Sequence, residues 1–277
     1  MNRIKLCLIL LFALTPAAKC LTVMTYNIRL DVASDGDNDW AHRKDFFTSQ
    51  LRFYSPDIFG VQEALPNQVS DIAASLPRYA YVGIGRDEEG RGEASDIYYK
   101  KDVFSVIVSS TFWLSETPEK VSKGWDAGYR RVCTYALLKD LKTKKSFWVF
   151  NTHLDNSGEE ARTRGIRLIL SKITEMNPKK LPVIFIGDLN SGPAENRIIE
   201  LRKEMNDARE ISEEKPFGPS GTFNDFNRDK PATELIDYVF VSKDSGMKVK
   251  KYAVLTDSKD LKYPSDHFPV YVEIGYK

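Results

Sequence analysis

Short apolar runs recur along the whole chain, and polar or turn-forming residues separate them. Most of the runs are rich in Val, Ile, Phe and Tyr, which favours strands over helices. They predict eleven strands, at residues 22–26, 58–61, 79–84, 97–99, 106–114, 132–138, 147–151, 183–187, 236–241, 249–255 and 270–274.

Fewer segments carry apolar residues at helical spacing. The clearest is the stretch 159–176, in which Ile166 and Ile169 fall on one face. Further helices are predicted at residues 42–54, 67–76 and 195–205. Helices lie between strands in each half of the chain, a pattern that favours two packed sheets with helices outside over an alternating parallel barrel. Because no linker or fixed repeat divides the chain, one domain is predicted.

The first twenty residues differ in composition from the rest. Basic residues precede an apolar stretch that is too short to span a bilayer, and small residues follow it. Residues 1–20 are therefore predicted to be a secretory signal peptide, cleaved after Cys20 or near Ala17. Residues 21–277 are predicted to form a single catalytic domain, exported to a bacterial periplasm or to the medium.

Charge and cysteine content narrow the possible partners. Removal of the signal peptide would change the formal charge from +1 to −2, because Arg3, Lys5 and Lys19 lie within it. A near-neutral chain lacks the broad basic surface typical of nucleic-acid binding. Cys133 would be the one remaining thiol, so no intramolecular disulfide is expected. No transmembrane segment is predicted in the mature chain, which is expected to be a monomer.

The predicted strand 183–187 ends at an acid and an amide, Asp188 and Asn190. Side chains alternate along a strand, so these two point the same way. Alone, the pair is also typical of a turn or a helix cap. The same pattern recurs at other strand ends, which finish at Asn27, Glu63, His153, Asp237 and the pair Asp266 and His267. Acids, amides and imidazoles at several strand ends predict a metal-assisted active site.

The candidate metal ligands are carboxylates. Mg²⁺ and Mn²⁺ prefer carboxylate and water oxygens, with substrate phosphate completing the coordination sphere. The strand ends supply four such acids: Glu63, Asp188, Asp237 and Asp266. With three His in the whole chain and one Cys in the mature part, a structural zinc site is excluded.

The other strand-end residues supply proton transfer and orientation. His153 and His267 can exchange protons near neutral pH. The amides of Asn27 and Asn190 can orient a phosphate or a water without repelling an anion. A lone acid in a buried strand is costly unless it is paired, and His267 is the natural partner of Asp237. Together with a divalent ion, this set predicts hydrolysis of a phosphate ester by an activated water.

Six short motifs follow one another in a recognisable order. They are Thr25-Tyr26-Asn27, Val61-Gln62-Glu63-Ala64, Asn151-Thr152-His153-Leu154, Gly187-Asp188-Leu189-Asn190, Ile236-Asp237-Tyr238 and Ser265-Asp266-His267-Phe268-Pro269-Val270. Each is weak alone, but the ordered set resembles the endonuclease/exonuclease/phosphatase family over essentially the whole mature chain. The resemblance implies an α/β fold, a four-layer sandwich in which two mixed β-sheets pack face to face and are flanked by helices.

The resemblance also implies roles for the acids and amides. Glu63 would be the principal ligand of Mg²⁺ or Mn²⁺, and Asn27 and Asp266 would complete the metal and phosphate shell. Asp188 would position or deprotonate the attacking water, with Asn190 beside it.

For the basic residues the implied roles concern the phosphate. His267 would bind a phosphate oxygen or act as a base, and His153 would contact the phosphate or assist the leaving group. Arg131 matches an arginine of the family, although Arg130 beside it is an alternative. Glu93 is expected to contribute to substrate binding as the acid that pairs with His153.

One position departs from the abasic-site endonucleases of the family, because the aspartate that follows their first Asn by two residues is Arg29 here. This substitution and the low net charge argue against DNA repair. The leading hypothesis is an exported, metal-dependent phosphodiesterase. A phosphomonoesterase acting on a sugar, inositol or nucleotide phosphate is the alternative within the same class. A binding protein that keeps the fold without catalysis is the alternative in another class.

Overall fold

The computed structural model describes residues 20–276, in which the chain forms twelve strands and four α-helices. The strands are β1 Cys20–Asn27, β2 Ile58–Gln62, β3 Tyr79–Val82, β4 Ile97–Lys100, β5 Phe104–Trp113, β6 Val132–Asp140, β7 Ser146–His153, β8 Val183–Asp188, β9 Met205–Asp207, β10 Asp237–Ser242, β11 Lys248–Val254 and β12 Val270–Gly275. The helices are α1 Trp40–Tyr54, α2 Pro66–Ser75, α3 Glu159–Met176 and α4 Asn196–Glu204. The predicted signal peptide lies outside the described residues except for Cys20, which begins β1.

All eleven predicted strands and all four predicted helices are present, with small shifts at their ends. β9 was not predicted from the sequence. The predicted helix 195–205 extends one residue too far, over Met205, where β9 begins. This strand is only three residues long and pairs with β10 at the edge of its sheet. Such a short strand leaves no alternating pattern that the sequence could display.

The strands form two six-stranded sheets with matching centres. Sheet one has the order β11-β12-β1-β2-β4-β3 and sheet two the order β5-β6-β7-β8-β10-β9. In each sheet the two central strands are parallel, and their outer neighbours are antiparallel to them. A helix connects each parallel pair, α1 between β1 and β2 and α3 between β7 and β8. The predicted four-layer sandwich of two mixed sheets is confirmed.

Alternation along the strands divides the apolar residues into three layers. Leu21 and Val23 of β1 join the core between the two sheets, together with Ile184 and Ile186 of β8. The alternate residues face outward: those of sheet one pack against α1 and α2, and those of sheet two pack against α3 and α4. Among the described residues, no helix is both long and apolar enough to cross a membrane.

At one end of the sandwich the inter-sheet layer changes from apolar to polar. Asn151 of β7 is fully buried, and its Nδ2 donates to the Val61 carbonyl of sheet one at 2.9 Å. Its Oδ1 accepts from Gln62 Nε2 at 2.7 Å, and the same nitrogen donates to Thr25 Oγ1. Gly60 leaves room for this crossing, since a Cβ there would lie 2.7 Å from Asn151. These bonds fix how the sheets sit against each other beneath the predicted site.

A buried carboxyl beside this polar layer should make stability depend on pH. Asp96 is 1% exposed and its Oδ1 has no hydrogen-bond partner among the described residues, and burial raises its pKa to about 7. The unfolded chain loses this proton near pH 4, but the folded chain keeps it to about pH 7. The free energy of unfolding should therefore fall between about pH 4 and about pH 7.

The substitution Asp96→Asn should remove this dependence. Its free energy of unfolding should exceed that of the wild type by a few kcal/mol at pH 8 and by much less at pH 5, on the order of 1.4 kcal/mol for each unit of the pKa shift. Urea unfolding at the two pH values measures the difference. Asp45→Asn, at an exposed position, is the control, and parallel pH profiles for the wild type and Asp96→Asn would contradict the prediction.

Candidate active site

A cavity of about 360 Å³ opens at the polar end of the sandwich. Seven of the predicted site residues line it: Glu63, Arg131, His153, Asp188, Asn190, Asp266 and His267. The other three, Asn27, Glu93 and Asp237, do not line the cavity, but each contacts one or more of these seven residues. The structure thus brings together all ten residues from both ends of the chain.

Strand register places three of these residues side by side. His153 pairs with Asp188 across β7 and β8, and Asp188 pairs with Asp237 across β8 and β10. His153 and Asp188 end the inward-facing series of β7 and β8, and Asp237 begins that of β10, so all three continue the inter-sheet layer into the cavity. Gly187 permits this close arrangement, because it has a φ of +150° and a Cβ there would lie 2.1 Å from the Thr152 carbonyl oxygen.

Asp188 is the most deeply buried acid that lines the cavity. Its Oδ1 accepts from the Asn190 backbone N–H at 2.9 Å, and its Oδ2 accepts from Asn27 Nδ2 at 2.9 Å. Burial raises the pKa of Asp188, the carboxylate of Asp237 raises it further, and His267 lowers it. A carboxylate in these surroundings has a greater proton affinity than an exposed one, which suits a proton acceptor.

Asn27 connects the two sheets at the cavity floor. Its Nδ2 donates to Glu63 Oε1 at 2.9 Å as well as to Asp188. Its Oδ1 accepts from the Arg29 backbone N–H, so the orientation of the amide is fixed at both ends. In this arrangement Asn27 orients two carboxylates, and its assignment as a metal ligand stays a prediction.

His267 and Asp237 form a buried pair, as the sequence predicted. His267 Nδ1 lies 2.9 Å from Asp237 Oδ2, and Nε2 lies 3.8 Å from Asp188 Oδ2. Burial alone would lower the pKa of His267, but the charge and hydrogen bond of Asp237 raise it well above its usual value. Asp237 thereby holds a positive charge on an imidazole that faces the cavity.

The pKa of His153 is shifted in the opposite direction to that of His267. Burial lowers its pKa well below the usual value, and the charge of Arg131 lowers it further. Arg131 Nη1 lies 2.8 Å from His153 Nδ1, and because arginine can only donate, the hydrogen-bond network assigns the ring proton to Nε2. Asn190 Nδ2 lies 3.0 Å from that same Nε2 and also donates to the Leu154 carbonyl. Two N–H donors therefore meet at one point of the wall.

The predicted pairing of Glu93 with His153 is not the closest contact of either residue. Glu93 Oε1 lies 2.7 Å from Arg86, whereas Glu93 Oε2 lies 3.9 Å from His153 Nδ1 and 3.6 Å from Arg131. Two guanidinium groups compete for this carboxylate. Arg131 is nearly buried and lines the cavity, whereas Arg130 pairs with Asp87 away from it.

Glu63 and Asp266 fit a hard divalent cation. Both are oxygen donors on the cavity wall. Burial raises the pKa of Asp266, the carboxylate of Glu63 raises it further, and His267, Arg29 and Arg43 lower it. A cation bound by both carboxylates would offset the repulsion that Glu63 exerts on the charge of Asp266.

A second group of possible ligands does not fit as well. Asp188, Asp237 and His267 offer ligand atoms within 4.8 Å of one another. However, Asp237 already binds Nδ1 of His267, and the imidazole is held in its charged form, which has no free lone pair for a metal. Glu63 and Asp266 therefore remain the predicted ligands of the cation.

Several residues of the site were not predicted from the sequence. Arg29 lines the cavity and pairs with Asp35 at 2.8 Å. Arg43, nearly buried, donates to the carbonyls of Ile28 and Pro264 and so ties the first site strand to the last site loop. Only the position of Arg29, two residues after Asn27, offered a signal in the sequence.

The fold and this arrangement of acids, amides and imidazoles are typical of phosphoester hydrolases, and comparison with known proteins identifies the family. The model of the Endonuclease/Exonuclease/phosphatase family matches residues 24–267. The chain therefore belongs to this family, whose members are phosphoester hydrolases that typically use divalent metals.

Two solved structures are similar over nearly their whole length. An endonuclease/exonuclease/phosphatase from Bacteroides vulgatus is 35% identical, with a TM-score of 0.87, and the match covers 94% of this chain and 100% of that one. A mannosyl-6-phosphatase of Bacteroides thetaiotaomicron is 36% identical, with a TM-score of 0.86, and the match covers 92% and 99%. An uncharacterized protein of Acanthamoeba polyphaga mimivirus is 28% identical over 161 residues, which are 55% of this chain and 59% of the viral protein.

Proposed function

We propose that this protein is an exported hydrolase of phosphate monoesters that depends on Mg²⁺ or Mn²⁺. The single observation that carries hydrolysis is the position of Asp188. It is a buried acid held by Asn27 from the opposite sheet, and the charged His267–Asp237 pair lies beside it. These contacts arrange a proton acceptor and a positive charge around one small volume, as hydrolysis by an activated water requires.

In this proposal Asp188 accepts the proton of the attacking water, and Asn27 and Asn190 keep the carboxylate in place. His267 in its charged form donates to a phosphate oxygen. His153 Nε2 and Asn190 Nδ2 lie 3.0 Å apart, so a phosphate oxygen bound at this point accepts from both. Arg131 holds His153 in the required tautomer.

Glu63 and Asp266 would hold the divalent cation. Bound there, the cation would neutralise charge on the phosphate and lower the pKa of a bound water. Asn27 fixes the orientation of Glu63 through the bond to Oε1, and the Leu30 backbone N–H donates to Oε2.

A small monoester fits the cavity better than the diester that the sequence favoured. The volume of about 360 Å³ is at the lower end for small-molecule sites. Its lining includes two further acids without a cationic partner among the described residues, Asp225 and Glu234, which would repel the repeated phosphates of a nucleic acid. The similar Bacteroides protein that is a mannosyl-6-phosphatase supports a sugar phosphate. Export rests on the predicted signal peptide, which detection of the native protein in the periplasm or medium would test.

A substrate panel tests this function. We expect turnover of p-nitrophenyl phosphate and mannose 6-phosphate with Mg²⁺ or Mn²⁺, much slower turnover of bis-p-nitrophenyl phosphate and plasmid DNA, and none with EDTA. Faster turnover of the diesters than of the monoesters would instead favour the phosphodiesterase hypothesis. If no phosphate ester is hydrolysed under any condition, the non-catalytic binding protein would become the better explanation.

A further inference from the structure

One wall of the cavity is not explained by the chemistry at its floor. It consists of Phe223, Asp225 and Phe226, which lie in the segment 222–226, and of Glu234. Asp225 and Phe226 both have a φ of +52°. Asp tolerates this left-handed conformation, but for a bulky aromatic residue it is an outlier. Such strain persists only where the surrounding structure holds it, and it concentrates at ligand sites.

Two contacts with the surrounding structure and one bond within the segment hold it in place. The backbone N–H groups of Asn224 and Asp225 both donate to the Asp266 carbonyl, at 2.8 and 3.1 Å. Asn224 Oδ1 accepts from the Phe226 backbone N–H at 2.8 Å. The guanidinium of Arg43 lies 5.5 Å from the centre of the Phe226 ring. The wall is therefore fixed to the loop that carries Asp266 and His267.

The wall combines aromatic faces with acids. Phe223 lies edge-on to the His267 ring, with centroids 5.1 Å apart, and it bridges to Glu234 through the backbone. Asp225 and Glu234 are exposed, and within residues 20–276 neither side chain takes part in a hydrogen bond or an ion pair. Both nevertheless line the same cavity as the catalytic groups.

We propose that this wall is the subsite for the alcohol part of the substrate, and that this alcohol is a monosaccharide. Asp225 and Glu234 accept hydrogen bonds from sugar hydroxyls, and Phe223 and Phe226 contact the C–H face of the ring. Carboxylates accept from hydroxyls through strong charge-assisted bonds. The phosphate ester of a simple phenol has no free hydroxyl that could donate to these acids. The proposal rests on the proposed function and adds the residues that select the substrate.

The test compares mannose 6-phosphate with p-nitrophenyl phosphate, which shares the phosphate but lacks sugar hydroxyls. Asp225→Asn and Glu234→Gln preserve size, and Asn also tolerates a positive φ. In each variant the ratio of kcat/KM for mannose 6-phosphate to kcat/KM for p-nitrophenyl phosphate should fall about tenfold or more, because a hydrogen bond to a charged group is lost. Asp229→Asn, an exposed acid of the same loop outside the cavity wall, should leave both rates unchanged.

The outcomes separate this inference from the proposed function. An unchanged ratio in Asp225→Asn and Glu234→Gln, with wild-type turnover of both esters, would overturn the sugar subsite and leave the phosphatase intact. Wild-type protein that hydrolyses neither ester would instead contradict the proposed function. Phe226→Leu gives an independent measure: KM for the sugar phosphate should rise more than KM for p-nitrophenyl phosphate, and an equal rise would count against the aromatic contact.

Discussion

Asp188→Asn should lower kcat by about a thousandfold or more, since a general base contributes on the order of 10² to 10⁴ and Asp188 also shapes the water site. The amide has nearly the same size but cannot accept a proton from the attacking water. We expect the loss to appear in kcat more than in KM, because in the proposed mechanism Asp188 acts on the attacking water, whereas His153 and His267 donate to the phosphate. Steady-state hydrolysis of p-nitrophenyl phosphate measures both constants.

A matched control distinguishes a chemical loss from a structural one. Asp207, on β9 at the far edge of sheet two, is also a buried acid, but it pairs with Arg202 of α4. Asp207→Asn should therefore keep its activity, and both variants should keep the circular dichroism spectrum of the wild type. Activity of Asp188→Asn within a few-fold of the wild type would rule out the assigned base.

Glu63→Gln should weaken the binding of Mn²⁺ at least about tenfold, because one of the two carboxylates that would hold the cation loses its charge. Gln keeps the shape of the side chain and can still accept from one of the two donors that contact Glu63, Asn27 Nδ2 or the Leu30 backbone N–H. Isothermal titration of metal-free protein measures the affinity directly, without relying on turnover. Removal of the metal with EDTA should abolish hydrolysis, and added Mg²⁺ or Mn²⁺ should restore it.

Glu93→Gln is the matched control for the metal. Glu93 lies near the cavity, but Arg86 at 2.7 Å and Arg131 at 3.6 Å already neutralise it. Because these two arginines already balance the charge of Glu93, the substitution Glu93→Gln should leave the Mn²⁺ affinity close to that of the wild type. Equal affinities for Glu63→Gln and the wild type would place the cation elsewhere, with Asp188 and Asp237 the next candidates.

The positions of the catalytic side chains could be predicted from the sequence because they depend on strand periodicity. Asn27, His153 and Asp188 each continue an inward-facing series of core residues by one further step of two. A pattern of this kind is local, so reading it needs no knowledge of which strands are neighbours. The pairing of Asp237 with His267 could be predicted as well, because a buried charge requires a partner.

The supporting residues depend on contacts that no local pattern encodes. Arg43 reads as an ordinary helix residue, yet it binds the carbonyl of Pro264, which lies 221 positions away in the sequence. The positive φ of Phe226 follows from where the Asp266 loop passes and not from the preference of Phe. The three residues of β9 gain their strand structure from β10. In each case the tertiary structure overrides the local preference.

The cross-sheet bonds of Asn151 also bear on how substrate preference can change. Asn27, His153 and Asp188 lie on strands whose relative positions these bonds fix, so a substitution that shifts one sheet would disturb them together. Asp225 and Glu234 lie on the connection between β9 and β10, outside the strands. The backbone of this connection is tied to the Asp266 loop, but the side chains of Asp225 and Glu234 make no hydrogen bond or ion pair within residues 20–276. These two side chains can therefore be exchanged without disturbing the catalytic side chains. New substrates are accessible to this scaffold by changing one loop, and a redesign should begin there.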